Sequence, residues 1–279
     1  MLLLILFLRV TWFSYFINYM PRFKITLEYD GTRFSGWQVQ KNAKTIQGEF
    51  FKACEALFGT KTFEFYGSSR TDSGVHALEQ VAHLEVETLI PPHNLRMKLN
   101  DELPNEISVL NVEKVSPKFH ARFDATARSY VYLISSRKTA FAKPYVWYVK
   151  HELDTVAMQA AARILEGFHD FRSFTADDPD EKSMDVEMKF IDLYELEDLI
   201  VVHVVGSHFL WKMVRRIVGA LSEVGRGNME PSEIIAMMEA GKKVNKFSAP
   251  ANGLFLEKVY YPGEEVLRGE EAFKLPVLL

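Results

Sequence analysis

The chain has 279 residues, of which 33 are basic and 37 acidic, giving a formal net charge of −4. This balance excludes a protein that coats nucleic acid indiscriminately, although it is compatible with a local basic cleft. An apolar fraction of 48% excludes a largely disordered chain. The single cysteine, Cys54, excludes an intrachain disulfide, and no Cys/His cluster has zinc-site spacing. A reducing cytoplasm is the simplest setting.

Residues 1–19 differ from the rest of the chain, because they open on an unbroken apolar run. A signal peptide would carry positive charge before that run and small residues at a cleavage site, and both are missing. A membrane anchor would place Arg9 near its middle, at a cost of about 2.5–3.5 kcal/mol. Met20 opens a segment typical of a soluble protein. We therefore expect a misassigned start, with a membrane anchor as the alternative.

The first half of the chain alternates between strand and helix patterns. Residues 23–29 alternate apolar and polar side chains, which predicts a half-buried strand. Thr45 can cap a helix that Gly59 can close. Further predicted elements are a helix over residues 94–103 and strands over residues 108–115 and 129–135.

The second half repeats this mixture. Asp154 can cap a helix that runs to Gly167. Helical spacing predicts that Val156, Ala160 and Ile164 face inward. Further predicted elements are a central strand over residues 199–205, helices over residues 209–224 and 231–241, and a closing strand over residues 254–260.

Interspersed strands and helices predict an α/β (α+β) fold of two halves, each with a largely antiparallel sheet flanked by helices. We expect the division near Phe123. The predicted units are an apolar extension over residues 1–19, a catalytic half over 20–123, a half that completes the cleft over 124–263, and a tail over 264–279.

A loop between two β-prone segments contains one carboxylate, Asp72. Turn-forming glycine and serine residues surround it, so Arg70 and Asp72 are expected on a loop within residues 67–77. Rigid scaffolds commonly display reactive groups on such loops. Asp72 could attack a sugar or a base, with Arg70 near enough to hold its charge. A loop aspartate is more often a turn residue or a helix cap, so the loop alone does not establish catalysis.

Residues 70–77 read Arg-Thr-Asp-Ser-Gly-Val-His-Ala. This string resembles the catalytic loop of the tRNA pseudouridine synthase A family, Arg-Thr-Asp-Ala-Gly-Val-His-Ala. Ser73 is the single departure, and one small residue replaces another there. The resemblance runs in order from residue 22 to about residue 262. Five further segments carry it, at residues 29–38, 125–132, 166–174, 209–219 and 249–254.

The resemblance implies the pseudouridine synthase fold and the isomerisation of uridine to pseudouridine in the anticodon stem-loop of tRNA, at positions 38, 39 and 40. The family's nucleophile corresponds to Asp72, which would attack either the uracil ring or ribose C1′. A glycosidase needs two carboxylates because a leaving group departs and water enters. Here the base stays and no water is consumed, so one carboxylate suffices, without metal or cofactor. The family further implies a cytoplasmic homodimer with tRNA across both subunits and without membrane attachment.

Three other site residues follow from the resemblance. Tyr130 corresponds to the family's active-site tyrosine, which stacks on the target base, although an aromatic residue on a strand is more often core. Arg215 lies at the edge of an apolar helix stripe, which suits pairing with Asp72. Arg70 could hold a phosphate, fill the space left by an extruded base, or brace the loop.

Supporting residues have weaker signals. His76 is expected to order the loop, whereas His169 and Asp170 suit a helix end as well as an RNA contact. Basic residues that could line an RNA groove are Arg22, Lys24, Arg128, Lys138, Lys143, Lys242, Lys243 and Lys246.

Three alternatives remain open from the sequence. A catalytically idle RNA-binding protein would need neither Asp72 nor Tyr130. A paralogue could act on a different RNA site. A membrane-tethered nucleosidase would use the apolar N-terminal segment and release free uracil.

Overall fold

The computed structural model describes residues 20–178, 183–241 and 247–276. Within these ranges the chain forms ten strands and five α-helices, so the predicted mixed α/β fold class is confirmed. The strands are β1 (Arg22–Tyr29), β2 (Phe63–Gly67), β3 (His76–Val86), β4 (Ile107–Val115), β5 (Ala127–Ser135), β6 (Trp147–Tyr148), β7 (Gly167–Asp170), β8 (Asp185–Leu196), β9 (Leu199–Gly206) and β10 (Leu254–Tyr260). The helices are α1 (Ile46–Phe58), α2 (Pro92–Glu102), α3 (Thr155–Ile164), α4 (Met213–Gly225) and α5 (Pro231–Ala240).

A single sheet joins the two halves of the chain. Its order is β4-β1-β3-β10-β5-β9-β8-β7, with β2 also paired to β3 and β6 to β5. The pairs are antiparallel except for β10 with β3 and β5 with β6. Strand β10 therefore lies between a strand of the first half and a strand of the second, and it connects their antiparallel parts.

The junction between the halves coincides with the Asp72 loop. At one end of β3, residues His76 and Ala77 pair with β10. At the other end, residues 82–86 pair with β2. The loop of residues 68–75 connects β2 to β3. It therefore lies between the part of β3 that pairs with β2 and the part that pairs with β10. A side chain on this loop can therefore reach groups from both halves.

The principal core lies between the sheet and the helices. Alternation in β1 directs Phe23, Ile25 and Leu27 into this core. Helix α1 begins after Thr45, whose hydroxyl accepts a hydrogen bond from the Gly48 amide at 3.2 Å. It ends at Gly59, which adopts the left-handed conformation with φ of 65°.

The predicted inward face of helix α3 is wrong for Val156 and Ala160, whereas Ile164 packs against the core as predicted. Val156 is 80% exposed and Ala160 is also exposed, whereas Met158, Ala161 and Ala162 are buried. The buried stripe is set by packing of α3 against α4, α5 and β8, and local spacing allowed two faces. The helix also ends at Ile164, before β7 begins.

Other elements also differ from the predictions. Helix α4 begins at Met213 and not at residue 209, because Lys212 has a left-handed backbone with φ of 63°. Strands β6, β7 and β8 were not predicted. Across the described ranges, no helix combines the length and apolarity that crossing a bilayer requires. The expectation about residues 1–19 lies outside the described residues.

Candidate active site

The Asp72 loop lines a cleft of about 990 Å³ between the two halves. The second half contributes Tyr130 from β5 and residues 208–215, which lead into α4. All four predicted site residues line this cleft, namely Arg70, Asp72, Tyr130 and Arg215.

Both carboxylate oxygens of Asp72 are held by donors from the second half. Arg215 Nη1 donates to Oδ2 at 3.0 Å, and the side chains of this ion pair are only 17% and 19% exposed. Trp211 Nε1 donates to Oδ1, also at 3.0 Å. Arg215 is fixed in turn, because its Nε donates to the Ala249 carbonyl at 2.8 Å. The Asp72 charge is therefore balanced by one arginine and oriented by two donors.

Trp211 is the site residue that the sequence analysis missed. Its side chain is 53% exposed, yet its backbone is firmly held. The Trp211 amide donates to Asp177 Oδ2 at 2.8 Å, and its carbonyl accepts from the Ala176 amide and the Thr175 hydroxyl. No sequence signal reveals this contact, since Trp211 and Asp72 are 139 positions apart.

The Asp72 loop is braced by the segment that follows β1. The hydroxyls of Tyr29 and Thr71 share a buried hydrogen bond of 2.8 Å. The Phe34 carbonyl accepts from the Ser73 hydroxyl at 3.1 Å and from the Gly74 amide at 3.3 Å. These bonds position the residues on both sides of Asp72.

Two glycines allow this segment to approach the loop backbone directly. A Cβ on Gly31 would lie 2.0 Å from the Val75 carbonyl oxygen. A Cβ on Gly36 would lie 2.6 Å from the Thr71 carbonyl oxygen, and Gly36 also has a φ of +92°. Contact at these points is backbone to backbone, so no larger residue fits without displacing the loop.

His76 and Asp30 form a second brace at the end of the loop. Buried His76 Nδ1 lies 3.1 Å from the Gly31 amide and 3.2 Å from Asp30 Oδ1. Burial alone would raise the pKa of Asp30, but hydrogen bonds from His76, Thr32 and Tyr145 outweigh it and hold the pKa well below its usual range. This geometry agrees with the loop-ordering role predicted for His76.

Tyr130 is buried at the base of the cleft, where its ring meets Phe209 edge to face at 5.0 Å. Burial raises the pKa of Tyr130 to about 12, although the Arg128 charge and a hydrogen bond with Ser69 partly oppose this. The phenol therefore keeps its proton at neutral pH.

A family model described as tRNA pseudouridine synthase matches residues 25–124 and 161–262. The tRNA pseudouridine synthase A 2 of Bacillus cereus is 40% identical over 247 residues, covering 87% of this chain and 100% of the relative. The tRNA pseudouridine synthase A of Ruminiclostridium cellulolyticum is 40% identical over 251 residues, with the same coverage. The chain belongs to the tRNA pseudouridine synthase family. The predicted family is thereby confirmed.

One solved structure is similar at a much lower level. A chain of the archaeal box H/ACA sRNP Nop10-Cbf5 complex overlaps with a TM-score of 0.38 at 12% identity, covering 88% of this chain and 50% of that chain. This likeness is too distant to describe the site.

Most of the sequence segments that carried the family resemblance meet at the cleft. Residues 29–38 brace the Asp72 loop, and residues 209–219 supply Trp211 and Arg215. Residues 249–254 supply the carbonyls that fix Arg215 and Tyr132. The segment at 166–174 differs, because His169 and Asp170 lie on β7 and Asp170 pairs with Arg172. Both side chains nevertheless make contacts at helix ends, because Asp170 Oδ1 accepts from the Arg172 amide at the start of a 3₁₀ helix and His169 Nε2 lies 2.8 Å from the Glu166 carbonyl just past α3. An RNA contact of these residues stays a prediction.

The basic residues that were predicted to line an RNA groove differ in their surroundings. Arg128 lines the cleft, but its buried guanidinium donates to three backbone carbonyls. Arg22 and Lys24 form ion pairs with Glu85 and Glu113. Lys138 and Lys143 are absent from the described lining of the cleft, and Lys242, Lys243 and Lys246 lie outside the described residues.

No group of three or more His, Cys, Asp or Glu side chains is placed to hold a metal ion within the ranges that the structure describes. The expectation that neither a metal nor a cofactor is needed stays a prediction.

Proposed function

We propose that the protein isomerises uridine to pseudouridine in the anticodon stem-loop of tRNA, at positions 38, 39 and 40, with Asp72 as the nucleophile. The observation that carries this proposal is the position of Asp72. Its carboxylate lies in a cleft between the halves, held by Arg215 and Trp211, in a member of the tRNA pseudouridine synthase family.

The reaction needs one nucleophile because the product is an isomer of the substrate. Asp72 attacks either the uracil ring or ribose C1′, and the bond from C1′ to N1 breaks. The base turns within the cleft, a bond forms from C1′ to C5, and the bond between Asp72 and the substrate breaks, which frees the carboxylate. The proton leaves C5 and N1 gains one, so no atom is gained or lost. Arg215 balances the Asp72 charge before the attack, which offsets the cost of holding a carboxylate away from bulk water.

Tyr130 is proposed to contact the target base. Because its pKa is raised to about 12, it meets the base as a neutral phenol. The Tyr130 ring is therefore proposed to pack against the target base. Its hydroxyl can accept a proton only after it has donated the proton that it carries. The edge-to-face contact with Phe209 fixes the ring for this packing.

Affinity for the RNA is proposed to come mainly from phosphates and from RNA shape. Arg70, Arg122 and Lys212 are cations among the described residues of the cleft wall. Arg70 would hold a phosphate or fill the space that an extruded base leaves in its stack. Binding should therefore weaken steeply as salt rises.

The resemblance also supports a homodimer that acts in the cytoplasm without a metal or a cofactor. In such a dimer the tRNA would lie across both subunits. Light scattering of the full chain, with and without tRNA, measures this expected stoichiometry.

The Asp72→Asn variant tests the nucleophile. We expect pseudouridine formation at positions 38–40 to fall by at least about a thousandfold, with tRNA binding kept within a few-fold. Asp198→Asn is the matched control, since Asp198 forms an exposed ion pair with Arg137 and is absent from the described lining of the cleft, and it should retain activity. Pseudouridine is mapped by sequencing of a tRNA transcript.

Each alternative predicts a different result. Undiminished activity of Asp72→Asn would remove Asp72 as the nucleophile. Pseudouridine only at other positions would overturn the substrate while keeping the chemistry. Wild-type binding without any pseudouridine would identify an idle RNA-binding protein, and release of free uracil would identify a nucleosidase.

A further inference from the structure

A cluster of rings and arginines lies beside the cleft. Phe123 is 74% exposed, and its ring lies 4.2 Å from that of His120. His120 in turn contacts Tyr66 at 5.1 Å between ring centroids. The Arg122 guanidinium lies 5.9 Å from the centre of the Phe123 ring. A single exposed aromatic residue is ordinary, but three rings in contact, with an arginine against the outermost, form a patch.

The patch continues the wall of the cleft outward. Tyr66, Arg70 and Arg122 line the cleft together with Asp72. Arg122 Nη1 approaches the Tyr66 hydroxyl at 3.4 Å. The residues that form this patch, which we name the rim platform, are Tyr66, Arg70, His120, Arg122 and Phe123.

Buried side chains hold the backbone of the rim platform in place. The Ala121 amide donates to His83 Nδ1 at 3.2 Å, and the Tyr261 hydroxyl donates to the Ala121 carbonyl at 2.7 Å. Arg128 Nη2 donates to the Arg122 carbonyl at 2.7 Å. His83, Tyr261 and Arg128 are all buried. The rings are thus presented on a fixed backbone, which lowers the entropy lost when a ligand binds.

The positive charges of the rim platform are available to an anion. Neither Arg70 nor Arg122 pairs with a carboxylate in the part of the chain that the structure describes. Burial lowers the pKa of His120, so its ring is mainly neutral at pH 7 and suited to stacking. Among the described residues, arginines that do pair with a carboxylate are Arg22, Arg33, Arg137, Arg163, Arg172, Arg215, Arg226 and Arg268.

We infer that the rim platform binds an unpaired nucleotide next to the target uridine. Its base stacks on Phe123, whose ring His120 supports from below at 4.2 Å, and its phosphate pairs with Arg122 and Arg70. Stacked aromatic rings beside guanidinium groups are the chemistry that recognises single-stranded RNA. The identity of this RNA rests on the proposed function, whereas the stacking does not.

Phe123→Ala tests the stacking. The probes are an anticodon stem-loop RNA and a fully paired hairpin of equal length, and affinity is measured by fluorescence anisotropy at one salt concentration. We expect Phe123→Ala to bind the stem-loop about 5- to 150-fold more weakly, the fold-change that corresponds to the loss of one stacked base. Affinity for the paired hairpin should stay within about twofold, and Phe123→Trp should restore binding.

Phe168→Ala is the matched control. Phe168 is 70% exposed on β7 and is absent from the described lining of the cleft. This variant should bind both RNAs as the wild type does. Equal loss on both RNAs, or no loss, for Phe123→Ala would overturn the rim platform. So would a change in oligomeric state, which would mark a protein interface.

Arg122→Gln provides a test that does not depend on the Phe123 variants. It should lower the slope of log affinity against log salt by about 0.7–0.9, the loss of one phosphate contact. An unchanged slope would contradict the phosphate pairing. If the wild type binds RNA through Phe123 but forms no pseudouridine, the proposed function fails and the platform stands. If it forms pseudouridine and Phe123→Ala binds normally, only the platform fails.

Discussion

The loop of residues 68–75 and the segment of residues 119–123 border the same cleft, yet they are held in opposite ways. Backbone packed against backbone positions the first, at points where only Gly31 and Gly36 fit. Side chains of buried residues anchor the second, and the Phe123 ring remains exposed. The first arrangement suits a single carboxylate that must be positioned for attack. The second suits a surface that accepts different bases.

The two segments should also respond differently to substitution. A backbone contact has no room to adjust, so a single added carbon displaces the whole loop. Side-chain anchors act separately, so the loss of one weakens the segment without removing the rest. Three predictions follow this contrast, from the largest expected effect to the smallest.

Gly36→Ala should have the largest effect. The added Cβ would lie 2.6 Å from the Thr71 carbonyl oxygen, beside Asp72, in a backbone with φ of +92°. We expect a loss of about 2–4 kcal/mol in the free energy of unfolding and a fall of about a hundredfold in pseudouridine formation. Urea denaturation and single-turnover assays measure the two effects.

Gly59→Ala is the control for this substitution. Gly59 has a similar left-handed backbone with φ of +65°, but a Cβ there would meet nothing within 4 Å. Its stability should fall by about 1–2 kcal/mol, with activity unchanged. Equal losses of activity in the two variants would show that backbone strain, rather than close packing on the loop, is responsible.

Arg128→Met should have an intermediate effect. It removes the donor to the carbonyls of Arg122, Ala125 and Ser207. We expect a loss of about 1–3 kcal/mol in stability and weaker RNA binding, with the rate at saturating RNA less affected than in Gly36→Ala. Arg137→Met, which breaks an exposed ion pair with Asp198, should cost at most about 1 kcal/mol. Equal costs would contradict the anchoring role.

Asp30→Asn should have the smallest effect and a pH dependence. The pKa of Asp30 is lower in the folded chain than the ordinary value of about 4. Ionised Asp30 therefore stabilises the fold at pH values above its ordinary pKa of about 4. This contribution is lost as the pH falls through the lower pKa that Asp30 has in the folded chain. The stability difference between wild type and Asp30→Asn should be constant above about pH 5 and shrink in more acidic solution. Denaturation at a series of pH values measures this stability difference. A difference that stays constant into acidic solution would contradict the prediction.

Local signals predicted the elements whose boundaries depend on nearby residues. Thr45 and Gly59 cap α1 as expected, and the alternation of β1 directs its apolar side chains inward. The sequence did not predict features that depend on which distant elements pack together. The buried face of α3 is selected by its packing on α4 and β8, so Val156 is exposed despite its apolar side chain.

The site shows the same limit. The family resemblance brought Asp72, Tyr130 and Arg215 into one hypothesis, and the structure brings these side chains to one cleft. Their catalytic roles stay predictions. Trp211 could not be predicted, because its indole reaches Asp72 only through the packing of the two halves. Arg128 resembled a surface cation in the sequence, but its burial depends on carbonyls far along the chain.

The position of strand β10 in the sheet affects when the active-site cleft can form after synthesis of the chain begins. It is the last of the described strands to be synthesised, yet it occupies the middle of the sheet, and it begins five residues after Ala249, whose carbonyl fixes Arg215. During synthesis, β3 and β5 each lack a neighbour, and such open edges favour aggregation. The nascent chain therefore has no finished cleft until β10 has been synthesised and has paired with β3 and β5.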